Sequence, residues 1–277
     1  MPQVLLALLA MAPTDDAVVE VGQLAPAIRE ASGIAASRRH PGIFWVHNDS
    51  GNPPEIFAIR RDGTLVRKYR VGVPNIDWED IAVDDRGHLY IGDIGNNDGR
   101  LALRMIYRVD EPDPDGPDPG QEPLKVSRAW FYGFDGAAGR FDAESLFLLD
   151  GRFAMISKHR DGKQAELFAL PIEPTSSLTK PSIPARIATL PGCDEAVTGA
   201  AYDEASKLLA VLSGKHVRIY RRGDREVWVE LAAIAHPLPE AEGICWDGRG
   251  LLIVAEDRRM ARVDARAWSA PRRGRQR

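Results

Sequence analysis

The chain has 277 residues, 44% of them hydrophobic, enough to bury a large core in one repeat-built domain or two smaller ones. Its formal net charge of −4 and pI near 5.9 exclude a global field that would favour nucleic acid or an anionic membrane. Two cysteines, Cys193 and Cys245, are too few for a disulfide framework, and the six scattered histidines have no zinc-site spacing.

The N-terminal run Val4–Ala12 is apolar and is followed by Pro13-Thr14-Asp15-Asp16, with Ala10-Met11-Ala12 resembling a small-residue cleavage site. It is too short to span a bilayer as a helix, and no Lys or Arg precedes it. Residues 1–13 are read as a candidate signal segment, which implies a periplasmic or extracellular protein; the alternative is a cytoplasmic one. Residues 14–268 read as a single domain and 269–277 as a basic tail.

Little of the chain has helical periodicity. Short runs rich in β-branched and aromatic residues alternate with turns, in keeping with 25 Gly and 20 Pro, which predicts an all-β protein. A repeat then sets the architecture. Its clearest copy is Asn75–Asn97, where an acidic entry (Asp77-Trp78-Glu79-Asp80) leads into a strand, a turn, a second strand and an Asp/Gly/Asn-rich loop. Matching entries begin at Ser32, Glu79, Glu144, Thr198 and Glu242, at spacings of 47, 65, 54 and 44 residues. Each spacing suits one four-stranded β-propeller blade. The long ones contain the inserts 110–123 and 171–184.

The first blade is predicted at 33–36, 43–47, 55–59 and 65–71, and the third at 146–149, 153–157, 166–170 and 185–190. The fifth repeat supplies only three strands, near 244–246, 251–255 and 259–263; the segment 17–24 is predicted to be its fourth. Closing the ring with strands from both chain ends removes an exposed sheet edge. Five blades are therefore favoured over six.

In such a ring the innermost strands line the central channel, so Ser32, Glu79, Glu144, Thr198 and Glu242 are expected to meet on the axis. Three carboxylates brought close repel and raise one another's pKa, and a hard cation relieves that repulsion. Oxygen-only ligands in an irregular ring select Ca2+, or another divalent cation, over zinc. The loops carrying Asn48 and Asp49, and Asp93, Asn96 and Asn97, are predicted on the same face, together with Lys158 and His159. In an enzyme, water activated at the ion would attack a phosphoester or lactone, Asp49 or Asp93 would be the general base, and Lys158 and His159 would stabilise developing negative charge. Asn48, Asn96 and Asn97 are candidate substrate ligands. Asn, Asp and Gly at these places also suit tight turns with no chemistry.

Trp45 and Trp78 are expected to pack between blades, and the insert 111–122, despite its calcium-loop spacing, to be a solvated loop on the opposite face. No GxSxG, HExxH or P-loop string is present.

The strings His47-Asn48-Asp49-Ser50-Gly51, Asp77-Trp78-Glu79-Asp80, Gly92-Asp93-Ile94-Gly95, Asp142-Ala143-Glu144-Ser145 and Val197-Thr198-Gly199 resemble those shared by a group of bacterial propeller proteins, over about residues 30–256. That resemblance implies the fold. More distantly, the chain is similar to the calcium-activated apyrases, five-bladed propellers whose channel ligands follow the order Ser, Glu, Glu, Ser, Glu. Ser32, Glu79, Glu144, Thr198 and Glu242 match that order with one Ser-to-Thr exchange, which implies a channel calcium more strongly than nucleotide hydrolysis. Two functions are thus expected: a metal-dependent hydrolase of a small phosphoester, nucleotide or lactone, or a non-catalytic propeller that binds a small ligand or a protein around a structural ion. Neither involves nucleic acid or a membrane span.

Overall fold

A computed structural model describes residues 17–118, 120–134, 141–172, 177–223 and 227–269. The candidate signal segment and all but the first residue of the basic tail lie outside them.

Five four-stranded antiparallel sheets form the ring of a five-bladed β-propeller. Blade one is β2 (Ala31–Ala36), β3 (Phe44–Asn48), β4 (Glu55–Ile59) and β5 (Leu65–Arg70). Blade two is β6 (Trp78–Val83), β7 (His88–Asp93), β8 (Arg104–Asp110) and β9 (Val126–Tyr132). Blade three is β10 (Phe147–Leu149), β11 (Arg152–Ile156), β12 (Glu166–Pro171) and β13 (Ala185–Thr189). Blade four is β14 (Val197–Asp203), β15 (Leu208–Ser213), β16 (His216–Arg222) and β17 (Trp228–Ala235). Blade five is β18 (Ala241–Asp247), β19 (Gly250–Ala255) and β20 (Arg259–Val263), completed on its outer edge by β1 (Val18–Gln23), which runs antiparallel to β20. Both chain ends therefore share one sheet, as expected. The one helix among the described residues, α1 (Arg266–Ser269), follows, and none is long and apolar enough to cross a membrane.

Both sheet faces of each blade press on neighbours, so strands such as β15 and β19 are buried along their whole length rather than alternating. Trp45 and Trp78 lie fully buried in one cluster with residues of blades one and two, as expected of inter-blade packing. Cys193 and Cys245 are buried and unpaired.

The insert after β8 departs from expectation. Glu111 is 4% exposed; its Oε1 accepts the Trp45 indole N–H at 2.7 Å and its Oε2 accepts the Arg39 amide at 3.3 Å. Further along, the carbonyls of Asp113 and Gly116 accept the Tyr69 hydroxyl and Arg67 at 2.9 and 2.6 Å. The loop latches blade two onto blade one instead of being wholly solvated, because the buried Trp45 N–H needs an acceptor that its own blade does not supply.

The inner strands approach closely, and the residue after each anchor shows how. At Gly33, Gly199 and Gly243 an added Cβ would stand 2.7, 2.5 and 2.8 Å from the backbone of the next blade (Asp80 Cα, Glu242 O and Ser32 O), so only glycine fits without a shift. In blade two the corresponding residue is Asp80, whose carboxyl bridges the gap: Oδ2 accepts the Leu146 amide of blade three and Oδ1 its neighbour Ile81's, both at 2.8 Å.

Candidate functional site

The five anchors occupy one structural position. Register in the sheets slips by a residue between Ala31 and Ile34, Trp78 and Asp80, Val197 and Gly199, and Ala241 and Gly243, so Ser32, Glu79, Thr198 and Glu242 all lie on β-bulges. In blade three the bridge Ala143–Ser157 and the pair Phe147–Ala154 are offset in the same way around Glu144. A bulge re-aims a side chain that regular pleating would send into a sheet face. Two residues further on, Ile34, Ile81, Leu146, Ala200 and Ile244 are all buried and all line the channel below. The molecule thus has an acidic collar above an apolar shaft.

Ser32 and Thr198 each spend their hydroxyl proton on a backbone carbonyl of the adjacent blade, Glu79 O at 2.7 Å and Ala241 O at 2.6 Å. What remains of either hydroxyl is acceptor capacity only. Glu79 and Glu144 are each 3% exposed, and one oxygen of each, Glu79 Oε1 and Glu144 Oε2, has no hydrogen-bond partner among the described residues.

The electrostatics follow from this crowding. Burial, then the charges of Glu144, Asp49 and Asp77, hold Glu79 well above the usual carboxylate range. Burial pushes Glu144 up to about 7 despite the opposing pull of Lys158. Burial and then Glu144 push Glu242 up to about 8. Lys158, absent from the ring expected from the repeats, is brought to it by the β11–β12 loop and bonds Glu144 Oε1 through its ammonium. One ammonium does not offset three carboxylates.

Two further acids join the collar. Carboxylate oxygens of Asp49, Asp77 and Glu79 all lie within 4.8 Å of one another. The Asn75 side chain makes this possible: its amide donates to the carbonyls of Asn48 and Asp49 at 3.2 and 2.8 Å, while its oxygen accepts the Trp78 amide at 3.1 Å. The β3–β4 loop is thereby drawn against the approach to β6. Burial, then Asp49, raise Asp77 to about 6. The grouping was readable in part: Asp77 flanks Glu79 in the acidic entry and Asp49 was expected on the same face, but the close approach of the three was not.

Asn48 and Asp93 stand at equivalent places, each opposite the residue before an anchor. Both are buried, and both hold the approach to the inner strand by its backbone. Asn48 Oδ1 accepts the amides of Arg29 and Glu30 at 2.9 and 3.3 Å, and Asp93 Oδ1 accepts that of Asp77 at 2.7 Å. Asp93, pushed up to about 6 chiefly by burial, thus fixes Asp77. Asn96, Asn97, Lys158 and His159 come together beside the collar in an open polar pocket of about 450 Å³, with Arg160, Asp142 and Asp161. There Asp142 accepts the Asn96 amide at 3.0 Å and pairs with Arg160 at 3.2 Å, and Arg160 also bonds Asn97. His159 is partly exposed, 3.9 Å from Glu166.

Gly95 makes the tightest contact at the collar. A Cβ there would stand 2.1 Å from Glu79 Oε1 and 2.4 Å from Asp77 Oδ2. The backbone of the β7–β8 loop is therefore the wall against which both carboxylates rest, and Gly95→Ala is expected to push them apart. For a collar that holds a divalent cation, calorimetric titration with calcium is expected to show affinity at least about tenfold weaker in this variant, equivalent to about 1.4 kcal/mol, with the fold retained by circular dichroism.

No protein-family model matches the chain, and no curated protein matches it in sequence. Among solved structures it is similar to glutaminyl cyclase from Myxococcus xanthus, at 13% identity over 88% of this chain and 94% of that one, TM-score 0.54. It is also similar to XC5397, a gluconolactonase from Xanthomonas campestris, at 14% identity over 89% of each chain, TM-score 0.50. At these identities the likeness is one of fold: the chain is a five-bladed β-propeller with an acidic collar at one mouth of its channel.

Proposed function

We propose that the collar binds a divalent cation, calcium by the chemistry of its donors, and that the protein is a metal-dependent hydrolase of a small phosphoester, nucleotide or lactone. The observation that carries the proposal is the convergence of Asp49, Asp77 and Glu79 within 4.8 Å beside unpartnered oxygens of Glu79 and Glu144. Buried, unpaired carboxylate oxygens demand protons or a cation, and an all-oxygen donor set suits a hard cation in a flexible coordination shell. The Ser/Glu/Glu/Thr/Glu order, which resembles that of the calcium-activated apyrases with one Ser-to-Thr exchange, supports calcium. That similar propellers include a gluconolactonase and a glutaminyl cyclase supports an enzyme, although one fold hosts many activities.

A bound divalent cation would polarise a carbonyl or phosphoryl oxygen and acidify water. The chain's own residues supply the rest. Asp49, at the edge of the collar on a partly exposed loop, is the general base, and the deeper acids Asp77, Glu79 and Glu144 hold the cation. Asp93 positions Asp77. Lys158 reaches from the polar pocket to Glu144, so it senses both substrate and collar. Arg160 and His159 offer donors to an anionic or carbonyl oxygen in the pocket.

The test is a panel of phosphoesters, nucleotides and lactones assayed with calcium, using wild type, Asp49→Asn and Arg160→Ala. Turnover is expected to fall about 10²-fold or more in Asp49→Asn, while Arg160→Ala raises KM. Absence of turnover on every substrate, with calcium bound, favours the non-catalytic binding propeller instead.

A further inference from the structure

The apolar shaft below the collar takes no part in the chemistry proposed above. It is a cavity of about 330 Å³ walled by all five inner strands, and it opens on the face opposite the collar. That volume lies within the range of small-ligand sites, which are lined mostly by apolar groups with a few polar ones at the rim. Its far rim carries Arg38, Asp84, Asp85, Arg86, Asp150 and Glu204.

The rim charges are not all paired with one another. Asp84 is engaged away from the opening, accepting from the amides of Arg86 and His88, the His88 ring and the Tyr90 hydroxyl at 2.8–2.9 Å. Asp150 is held by Arg222 and lies 4.0 Å from Arg152, and Glu204 is held by Lys207. Among the described residues Arg38 has only a loose partner, Asp85 at 3.8 Å, and that carboxylate is 94% exposed. The Arg86 guanidinium has no ion pair among the described residues. The mouth of an apolar shaft therefore keeps one guanidinium weakly paired and a second outside any ion pair among the described residues.

We infer that the shaft is a second ligand site, which takes a small amphiphilic monoanion: an aryl or branched-alkyl carboxylate whose hydrocarbon enters between the five inner strands and whose carboxylate meets Arg38 and Arg86 at the rim. Guanidinium–carboxylate pairing sets the orientation, and removal of the hydrocarbon from water supplies most of the affinity. The site is independent of the collar and faces the other way, so it stands whether or not the collar proves catalytic.

Calorimetric titration of the full chain with 2-naphthoate, in calcium, tests the inference. Three proteins are compared: wild type, Ala201→Phe, which places a ring in the shaft from a partly exposed wall position, and the exposed double substitution Arg38→Ala/Arg86→Ala. Saturable one-to-one binding is expected in wild type, none in Ala201→Phe, and about threefold weaker binding or more in the double variant. Uncharged 2-naphthamide is expected to bind equally to wild type and double variant. Thermal melts establish folding; should Ala201→Phe fail to fold, the arginine pair decides alone. No saturable binding to wild type, or 2-naphthoate affinity unchanged by loss of both arginines, overturns the inference.

Discussion

Metal-free protein is expected to become more stable as the pH falls from 8 towards 6.5, and calcium to reverse that slope; below 6.5 buried His47, held down to about 4, opposes the trend. Asp77 and Asp93 are raised to about 6, Glu144 to about 7 and Glu242 to about 8, in each case first by burial. A carboxyl whose folded pKa is raised holds its proton more tightly in the folded chain than in the unfolded one. The stability it contributes is fully present below the unfolded value near 4 and is lost as pH rises through the folded value, here through the window from about 6 to 8. Each tenfold gain in proton affinity is worth about 1.4 kcal/mol, but the groups share their repulsion, so a total of about 2 kcal/mol is expected, or roughly 4–8 °C in Tm. Calcium competes with those protons, so its stabilising effect is greatest at pH 8 and small at pH 5. Melts at several pH values in chelator and in excess calcium measure both slopes. A chelated protein most stable at pH 8 would contradict the crowding of unneutralised acids. By the same reasoning Glu242→Gln stabilises the metal-free chain.

Asp80→Ala has the opposite sign although it too deletes a buried carboxyl next to an anchor. Asp80 is held well above the usual range by burial, so removing it relieves a desolvation cost. Its two oxygens, however, satisfy two amides on two different blades, and both become buried orphans. Each orphan costs about 1–3 kcal/mol. A protonated Asp80 largely avoids the charge penalty, so the orphans win and a net loss of about 3 kcal/mol is expected, about 10 °C in Tm. Urea titration of wild type and variant gives the value; a loss below about 1 kcal/mol would mean that the inner strands of blades two and three close without that bridge.

The contrast shows what the sequence could and could not reveal. The five anchors were legible because each begins a strand after a polar turn, and short apolar runs such as Phe153–Ile156 mark the strands that follow. The closing strand β1 was legible because the fifth repeat ran out of strand-like residues. The bulges were not: one extra residue on one strand leaves no mark in a hydrophobic pattern. Lys158 and Asp49 reach the collar through loop geometry, set by contacts such as Asn75 to Asp49, between residues 26 apart. Glu111 read as part of a solvated insert because its acid sits among prolines, yet the partner that buries it, Trp45, lies 66 residues away. Asp80 looked like one more acid in an acidic string; only the closeness of the next blade makes it a bridge.

The central claim, a divalent cation in the collar, is tested most directly by the metal content of purified protein together with melts in EDTA and after calcium is restored. One ion per chain is predicted, with a Tm that drops in EDTA and recovers with calcium, and with the effect much reduced in Glu79→Gln. No bound metal, and melts indifferent to both EDTA and calcium, would contradict the account and leave Lys158 to carry the collar's counter-charge.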